Sequence, residues 1–352
     1  TEAEGSDLVR TIQTDVVVIG GGSTGVGVVR DAAMRGFRTV LVDKGDLAQG
    51  TSGRYHGLLH SGGRYVVSDP LSATECAQEN AILSRIQASA IETTGGYFVT
   101  CPGDDPEFAD KFLAGASATG VPAQEIPVAQ ALKAEPRLNP GILRAIEVQD
   151  GSVDGWQLVW GAARSAEAYG AQILTYHKVT RITRDGNRVA AVHAIDLKNG
   201  EEVQIECNFV LNCAGPWAGQ IAAMADCEPV DVIPGRGIMI AMNHRLVNRV
   251  VNRCIYPADG DILVPVHTVS IIGTTDVKVD DPDNLAIELD EVQQMLDAGE
   301  ILIPGFRQSR ALHAWAGARP LIKDKRVAAA DTRHMSRGMA VIDHTPRDGL
   351  DG

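Results

Sequence analysis

Apolar and polar positions along the chain follow two periods, and they place most of the elements. Asp15-Val16-Val17-Val18-Ile19 is a continuous apolar run, as in a strand buried on both faces of a parallel sheet. A glycine-rich turn, Gly20 to Gly25, leads into a helical stretch from Val26 to Arg35 closed by Gly36. Thr39-Val40-Leu41-Val42 is a second buried run ending at Asp43, which completes a βαβ start. Helical spacing recurs over 72–91, 106–120, 155–169 and 288–302. Strand-like runs cover 96–101, 142–148, 173–183, 189–197, 201–206 and 209–212, with hairpin signals at Asp185-Gly186 and Asn199-Gly200. Beyond Asp226 come strands at 238–242, 262–266 and 269–273, and a further element at 311–318. The polar run Lys278–Asn284 reads as a solvated loop.

The first turn carries the first chemistry. Gly20 allows a tight turn, Gly22 lets the backbone approach a pyrophosphate, and Gly25 lets the helix pack closely on the strand. The free N–H groups of the helix start attract phosphate. Asp43 follows the last of these glycines by the interval expected of an acid that accepts from a ribose hydroxyl. Together these features predict dinucleotide binding. The next segment, Gly50 to Tyr65, is rich in Gly, hydroxyls, Arg and His where a nicotinamide-binding domain would continue into an ordinary helix. Small residues there admit a bulky ring, and their N–H and hydroxyl groups can reach its polar edge.

Composition narrows the classes. A length of 352 residues suggests about two domains, and 44% hydrophobic with 22% charged residues is globular. No apolar run is long enough to span a bilayer, and the first residues show neither a basic nor an apolar signal region. A net charge of −13 argues against nucleic acid or a polybasic membrane contact. An anionic substrate would therefore be held by local arginines, and Arg outnumbers Lys 24 to 8. The six cysteines form no CxxC pair, which predicts reduced cytosolic thiols, no iron–sulfur cluster and no bound metal.

The stretches VVVIGGGSTGVGVVRDAAMRGFRTVLVDKGDLAQGTSGRYHGLLHSGGRY, DGSVDGWQL, NFVLNCAGPWA, DILVP, SIIGTTDV, AGARPL and DHTPRDGLDG run in order across nearly the whole chain. In them the sequence resembles the FAD-dependent glycerol-3-phosphate dehydrogenase family, and within it the A (catalytic) subunits of the anaerobic enzyme. Asp43 is a departure, since the family more often has Glu there. The resemblance implies an α/β fold: a Rossmann-like, two-dinucleotide-binding FAD domain interleaved with an α+β mixed-sheet substrate domain. The FAD domain would comprise 12–70, 150–225 and 335–352, and the substrate domain 71–149 and 226–334. It also implies a strand, a Gly-Gly-Lys turn and a cysteine-bearing region beyond Gly352.

The same resemblance implies that FAD contacts Gly20, Gly22, Ser23, Thr24, Gly25, Asp43, Lys44, Thr51, Ser52, His56, Gly57, Leu59, Ala214, Gly215 and Trp217. It implies oxidation of sn-glycerol 3-phosphate to dihydroxyacetone phosphate, with electrons passing towards a quinone. Electron-transfer and membrane-anchor subunits would be partners of a cytoplasmic chain, peripheral on the inner face of the membrane. Oxidising a secondary alcohol requires a proton acceptor, and His60 is the first candidate, beside the weaker His56. A phosphate dianion calls for guanidinium forks. Arg319 and Arg54 match family arginines, with Arg253, Arg236, Thr274 and Thr275 as further substrate candidates. Two other readings stay open: an amine or amino-acid oxidase of related fold, and a non-catalytic flavin-binding subunit.

Overall fold

The computed structural model describes residues 9–322 and 338–352. They divide into two compact units, one of residues 9–53, 156–232 and 340–352, the other of 54–155, 233–322 and 338–339.

The first unit is built on a parallel sheet ordered Gln172–Leu174, Thr39–Val42, Val16–Ile19, Phe209–Asn212. Side-chain alternation gives this sheet two dry faces. Val16, Val18 and Leu41 pack with Val26, Val29, Val159 and Ala163 of helices Ser23–Met34 and Gly155–Ala168. Val17, Ile19, Val40 and Val42 pack with Val179, Val192 and Ile205 of a second sheet. That second sheet is a meander of Glu202–Glu206, Arg188–Asp196 and His177–Asp185, with Arg10–Gln13 added in parallel. The continuous apolar runs are thus explained by burial on both sides.

One expected strand, 173–183, is two. Gln172–Leu174 belongs to the parallel sheet and His177–Asp185 to the meander. Tyr176 between them has φ 60°, a left-handed conformation that turns the chain out of one sheet into the other. The corner is tied down where Tyr176 N–H donates to Gly45 O at 2.9 Å and His177 N–H to Asp43 O at 2.8 Å.

The second unit holds a mixed sheet of nine strands among the described residues. Its centre runs Val232–Met242, Val269–Gly273, Ile262–Val266, Val250–Arg253, Gly96–Thr100, Arg144–Val148, Ala123–Ile126, and Ala311–Ile322 pairs with Val232–Met242. Ile238, Ile240, Leu263 and Ile272 face Met295, Leu302 and Phe306, burying helix Leu289–Leu302 against the sheet. Helix Phe108–Thr119 buries Phe112 against Phe98 in a separate cluster, their rings 4.5 Å apart.

Residues 54–70 and 150–155, expected in the cofactor domain, belong to this second unit. The reason is pairing: Leu58–Leu59 and Ile91–Glu92 both flank Gly151–Val153 in a small antiparallel sheet. Residues 226–232, expected in the substrate domain, belong to the first unit. The expected boundary at 335 and the stretch 323–334 lie outside the described residues. Among the described residues no helix is long and apolar enough to cross a membrane.

Candidate active site: a glycine cradle and a buried polar cluster

The first unit carries the cradle. The strand Val16–Ile19 ends at Gly20, whose φ of 117° is open to glycine alone among common residues. A Cβ on Gly20 would collide with the Cys213 carbonyl and lie 3.1 Å from Ala214 Cα, so the two strand-end turns are in contact. A Cβ on Gly25 would collide with the Gly20 carbonyl, which is how closely the helix start approaches the turn. The helix N-cap, Gly22, offers no side-chain acceptor. Ser52 partly fills that role: its hydroxyl accepts the Ser23 N–H at 2.9 Å and would lie 3.0 Å from a Cβ on Gly22.

Asp43 is held by Gly21 N–H at 2.5 Å and Gly45 N–H at 2.7 Å, one on each carboxylate oxygen. A carboxylate has about four lone-pair positions, so two remain for hydroxyl donors. On the facing turn, Lys44 Nζ sits 4.1 Å over the Trp217 ring, and Gly50 leaves room for the same ring. A helix start capped only by the Ser52 hydroxyl, a side-chain-free turn and an aligned acid fit a dinucleotide pyrophosphate and ribose. The sequence-derived contacts Gly20, Gly22, Ser23, Thr24, Gly25, Asp43, Lys44, Thr51, Ser52, Ala214, Gly215 and Trp217 all belong to this unit, whereas His56, Gly57 and Leu59 belong to the other.

In the second unit the loop from His56 to Tyr65 is held by buried carboxylates. Asp150 accepts the Ser61 N–H at 2.7 Å and Asn252 Nδ2 at 3.0 Å. Burial pushes the Asp150 carboxyl above its usual range, against the pull of Ser61, Asn252 and Arg64. Arg64 pairs with Asp261 at 2.7 Å, the carboxylate side chain being only 1% exposed. Burial opposes the Arg64 charge, but Asp261 and Asp150 outweigh it and hold the guanidinium above its ordinary range. Tyr55 donates to Val153 O at 2.9 Å, and burial raises its hydroxyl further, so it is no proton donor at neutral pH.

His56 is buried, with Nδ1 accepting the Leu58 N–H at 3.2 Å. Burial, then the neighbouring His60, Arg64 and Arg319, hold its pKa well below the ordinary histidine value. The ring is therefore neutral, and because Nδ1 is the acceptor, Nε2 carries the hydrogen. His60 lies with its ring 6.2 Å from His56 and 5.5 Å from Tyr65. Gly273 packs against His56, a Cβ there falling 3.3 Å from its Cδ2.

Immediately after Gly273 comes the clamp on Arg319. Its Nη2 donates to the Thr274 hydroxyl and to Thr275 O at 3.1 Å. Nη1 donates to Gly235 O and to Asp276 Oδ1, both at 3.3 Å. Arg54, an exposed residue, passes its backbone beside Gly317, two positions before Arg319 on the same strand. The structure thus brings His56, His60, Arg64 and Arg319 into one neighbourhood, with Thr274 beside them.

Other sequence candidates are occupied elsewhere. Arg253 forms an ion pair with Asp104, whose side chain is 3% exposed, as Arg319 does with the equally buried Asp276. Arg236 pairs with Glu291 at 2.6 Å behind the sheet. The buried Thr275 hydroxyl donates to Glu291 at 2.9 Å and accepts the Ile238 N–H at 3.0 Å, leaving it no hydrogen for a substrate. Sequence reasoning missed Arg64, Asp150, Asp261 and Glu291. Arg64 stands in the same HSGGRY stretch as His60, but nothing local separates it from a surface cation.

Residues 15–350 match the family described as "FAD dependent oxidoreductase". The chain is 42% identical over 341 residues, 96% of its length, to the A subunit of the anaerobic glycerol-3-phosphate dehydrogenase of Escherichia coli, and spans 62% of that curated relative. A glycine oxidase from Geobacillus kaustophilus shares the fold with a TM-score of 0.77 at 22% identity, covering 97% of this chain and 88% of that one. The L-alpha-glycerophosphate oxidase from Mycoplasma pneumoniae, solved with FAD bound, has a TM-score of 0.77 at 21% identity, covering 89% and 84%.

Proposed function

Because the chain belongs to the FAD dependent oxidoreductase family, we propose that it oxidises sn-glycerol 3-phosphate to dihydroxyacetone phosphate and passes the electrons towards a quinone. The observation that carries this reading is 42% identity, over 96% of the chain, to the A subunit of a glycerol-3-phosphate dehydrogenase. The Arg319 clamp beside His56 supports it, because a phosphate monoester needs a fixed guanidinium and an alcohol needs a proton acceptor.

Bound FAD supplies the acceptor for the hydride leaving the substrate carbon. Gly20 to Gly25 and Asp43 hold its pyrophosphate and ribose. Arg319, whose Nη hydrogens are engaged by Thr274, Thr275, Gly235 and Asp276, attracts the substrate phosphate by its fixed charge, with Thr274 and Arg54 at its side. His56 donates from Nε2 to the substrate hydroxyl oxygen and so orients it, its Nδ1 being already engaged with Leu58. His60 removes the hydroxyl proton. Arg64, neutralised by Asp261, keeps the loop that carries both histidines in place. In the cell the chain works as one component of an assembly, with electron-transfer and membrane-anchor partners on the cytoplasmic face of the membrane; that the relative is itself a subunit of a larger enzyme supports this.

The test is a visible absorption spectrum of the purified protein before and after anaerobic addition of glycerol 3-phosphate. Flavin bands that bleach are expected. Bands that stay oxidised with glycerol 3-phosphate but bleach with glycine would transfer the reading to amine oxidation. Bands that bleach with neither would point to a non-catalytic flavin-binding subunit.

A further inference from the structure

Glu291 ties together two chain segments that hold Arg319. Four acceptors on the Arg319 guanidinium are Thr274 Oγ1, Thr275 O, Asp276 Oδ1 and Gly235 O. Three of these belong to one tripeptide, and Glu291 Oε1 accepts the hydroxyl of its middle residue, Thr275, at 2.9 Å. The fourth comes from Gly235, whose neighbour Arg236 donates to Glu291 Oε2 at 2.6 Å. One buried carboxylate therefore fastens both chain segments that shape the clamp. Among the described residues Arg236 Nε is buried without a partner and Glu291 is the carboxylate that pairs with that cation.

We infer that Glu291 is a positioning residue for the anion-binding guanidinium: it sets where Arg319 points, and hence how tightly the phosphate group of the substrate is held. The inference rests on the phosphate-ester reading above. A carboxylate suits this task because it accepts from Thr275 on one oxygen and from Arg236 and the Glu288 N–H on the other. An amide at the same position replaces one acceptor oxygen by an NH2 donor and carries no charge, so it cannot accept from both segments on opposite oxygens or balance Arg236. Removing the side chain altogether would leave Arg236 buried and uncompensated, which endangers folding. The informative variant is therefore Glu291→Gln, with Thr275→Val as a second that removes the hydroxyl, and with it both the Glu291 link and the acceptor of the Ile238 N–H.

The experiment compares steady-state kinetics of the FAD-loaded proteins with glycerol 3-phosphate and with glycerol, in the wild-type and Arg319→Lys backgrounds. Glu291→Gln is expected to raise KM for glycerol 3-phosphate about tenfold, with kcat changed less than about threefold. The effect should shrink below about twofold for glycerol, and below about twofold in the Arg319→Lys background. Thr275→Val should move KM in the same direction, and Thr275→Ser should restore it. Equal losses in both backgrounds, or equal losses for both substrates, would overturn the inference. Crystal structures of the wild-type and Glu291→Gln proteins supply a second readout that needs no substrate. A guanidinium that keeps all four contacts in the variant also overturns it. If wild-type enzyme leaves glycerol 3-phosphate unchanged, the substrate reading fails, and these structures alone decide whether Glu291 aims Arg319.

Discussion

The cradle of the first unit and the polar cluster of the second are made of different materials. The cradle is backbone: turns at Gly20 and Gly25, a helix start capped only by the Ser52 hydroxyl, and one acid aligned by two amides. The cluster is side chains: Arg64 with Asp261, Ser61 and Asn252 on Asp150, Arg319 among Thr274, Asp276 and two carbonyls. Backbone sites depend on space, and any added atom closes them. Side-chain sites depend on charge balance, and removing one partner leaves the other buried and unpaired. The first kind tolerates almost no substitution but needs few residues. The second spreads its requirements over the whole unit.

Four substitutions break or sharpen this contrast. The largest effect is expected from Gly25→Ala, because the new Cβ collides with the Gly20 carbonyl. FAD should be absent from the purified protein, and stability should fall by roughly 1–3 kcal/mol in denaturant titration; a yellow protein of normal stability would show that the cradle has slack. Next, His60→Ala should lower kcat by about a thousandfold while flavin content stays at the wild-type level. A loss below tenfold would pass the base role to another group.

Arg319→Ala comes third. It should raise KM for glycerol 3-phosphate by roughly a hundredfold and hardly affect glycerol. Equal changes for the two substrates would remove Arg319 from the phosphate. The smallest effect is in the pH dependence of stability. The His56 pKa is lowered in the folded protein, so the unfolded chain binds more protons below its own value of about 6.5. His56 therefore costs no stability above that pH and progressively weakens the fold as pH falls below it. Urea midpoints measured between pH 7 and pH 5 should decline less steeply in His56→Gln, and identical slopes would assign the decline to other groups.

The same contrast explains what could be read from the sequence. Gly20, Gly22, Gly25 and Asp43 are close in the chain, and each has a local reason for its identity, so the cradle and its βαβ frame are legible as a motif. The parallel and meander sheets follow from apolar runs and from turns at Gly186 and Gly200, both with positive φ. The break at Tyr176 was not legible, because a tyrosine in the left-handed region is imposed by contacts to Gly45 and Asp43 rather than by its own preference. Arg319 and His60 stood out only through the family likeness. Arg64 and Glu291 did not stand out, since their partners Asp261 and Arg236 lie far away in sequence and a lone charge looks like any solvated one. The ion pair of Arg253 was hidden for the same reason: its partner Asp104 is in a separate turn.

The helix Leu289–Leu302 opens with a capping box in which Glu291 reaches back to the Glu288 N–H at 3.2 Å. The same carboxylate that closes this first turn also holds Thr275 and Arg236. If Glu291 sets the aim of Arg319 as proposed, selection for a durable helix and selection for substrate affinity act on one atom group. A library sorted for heat resistance alone would retain Glu291 and carry the substrate preference along unnoticed. Conversely, an attempt to retune the pocket from this side would be paid in the lifetime of the fold.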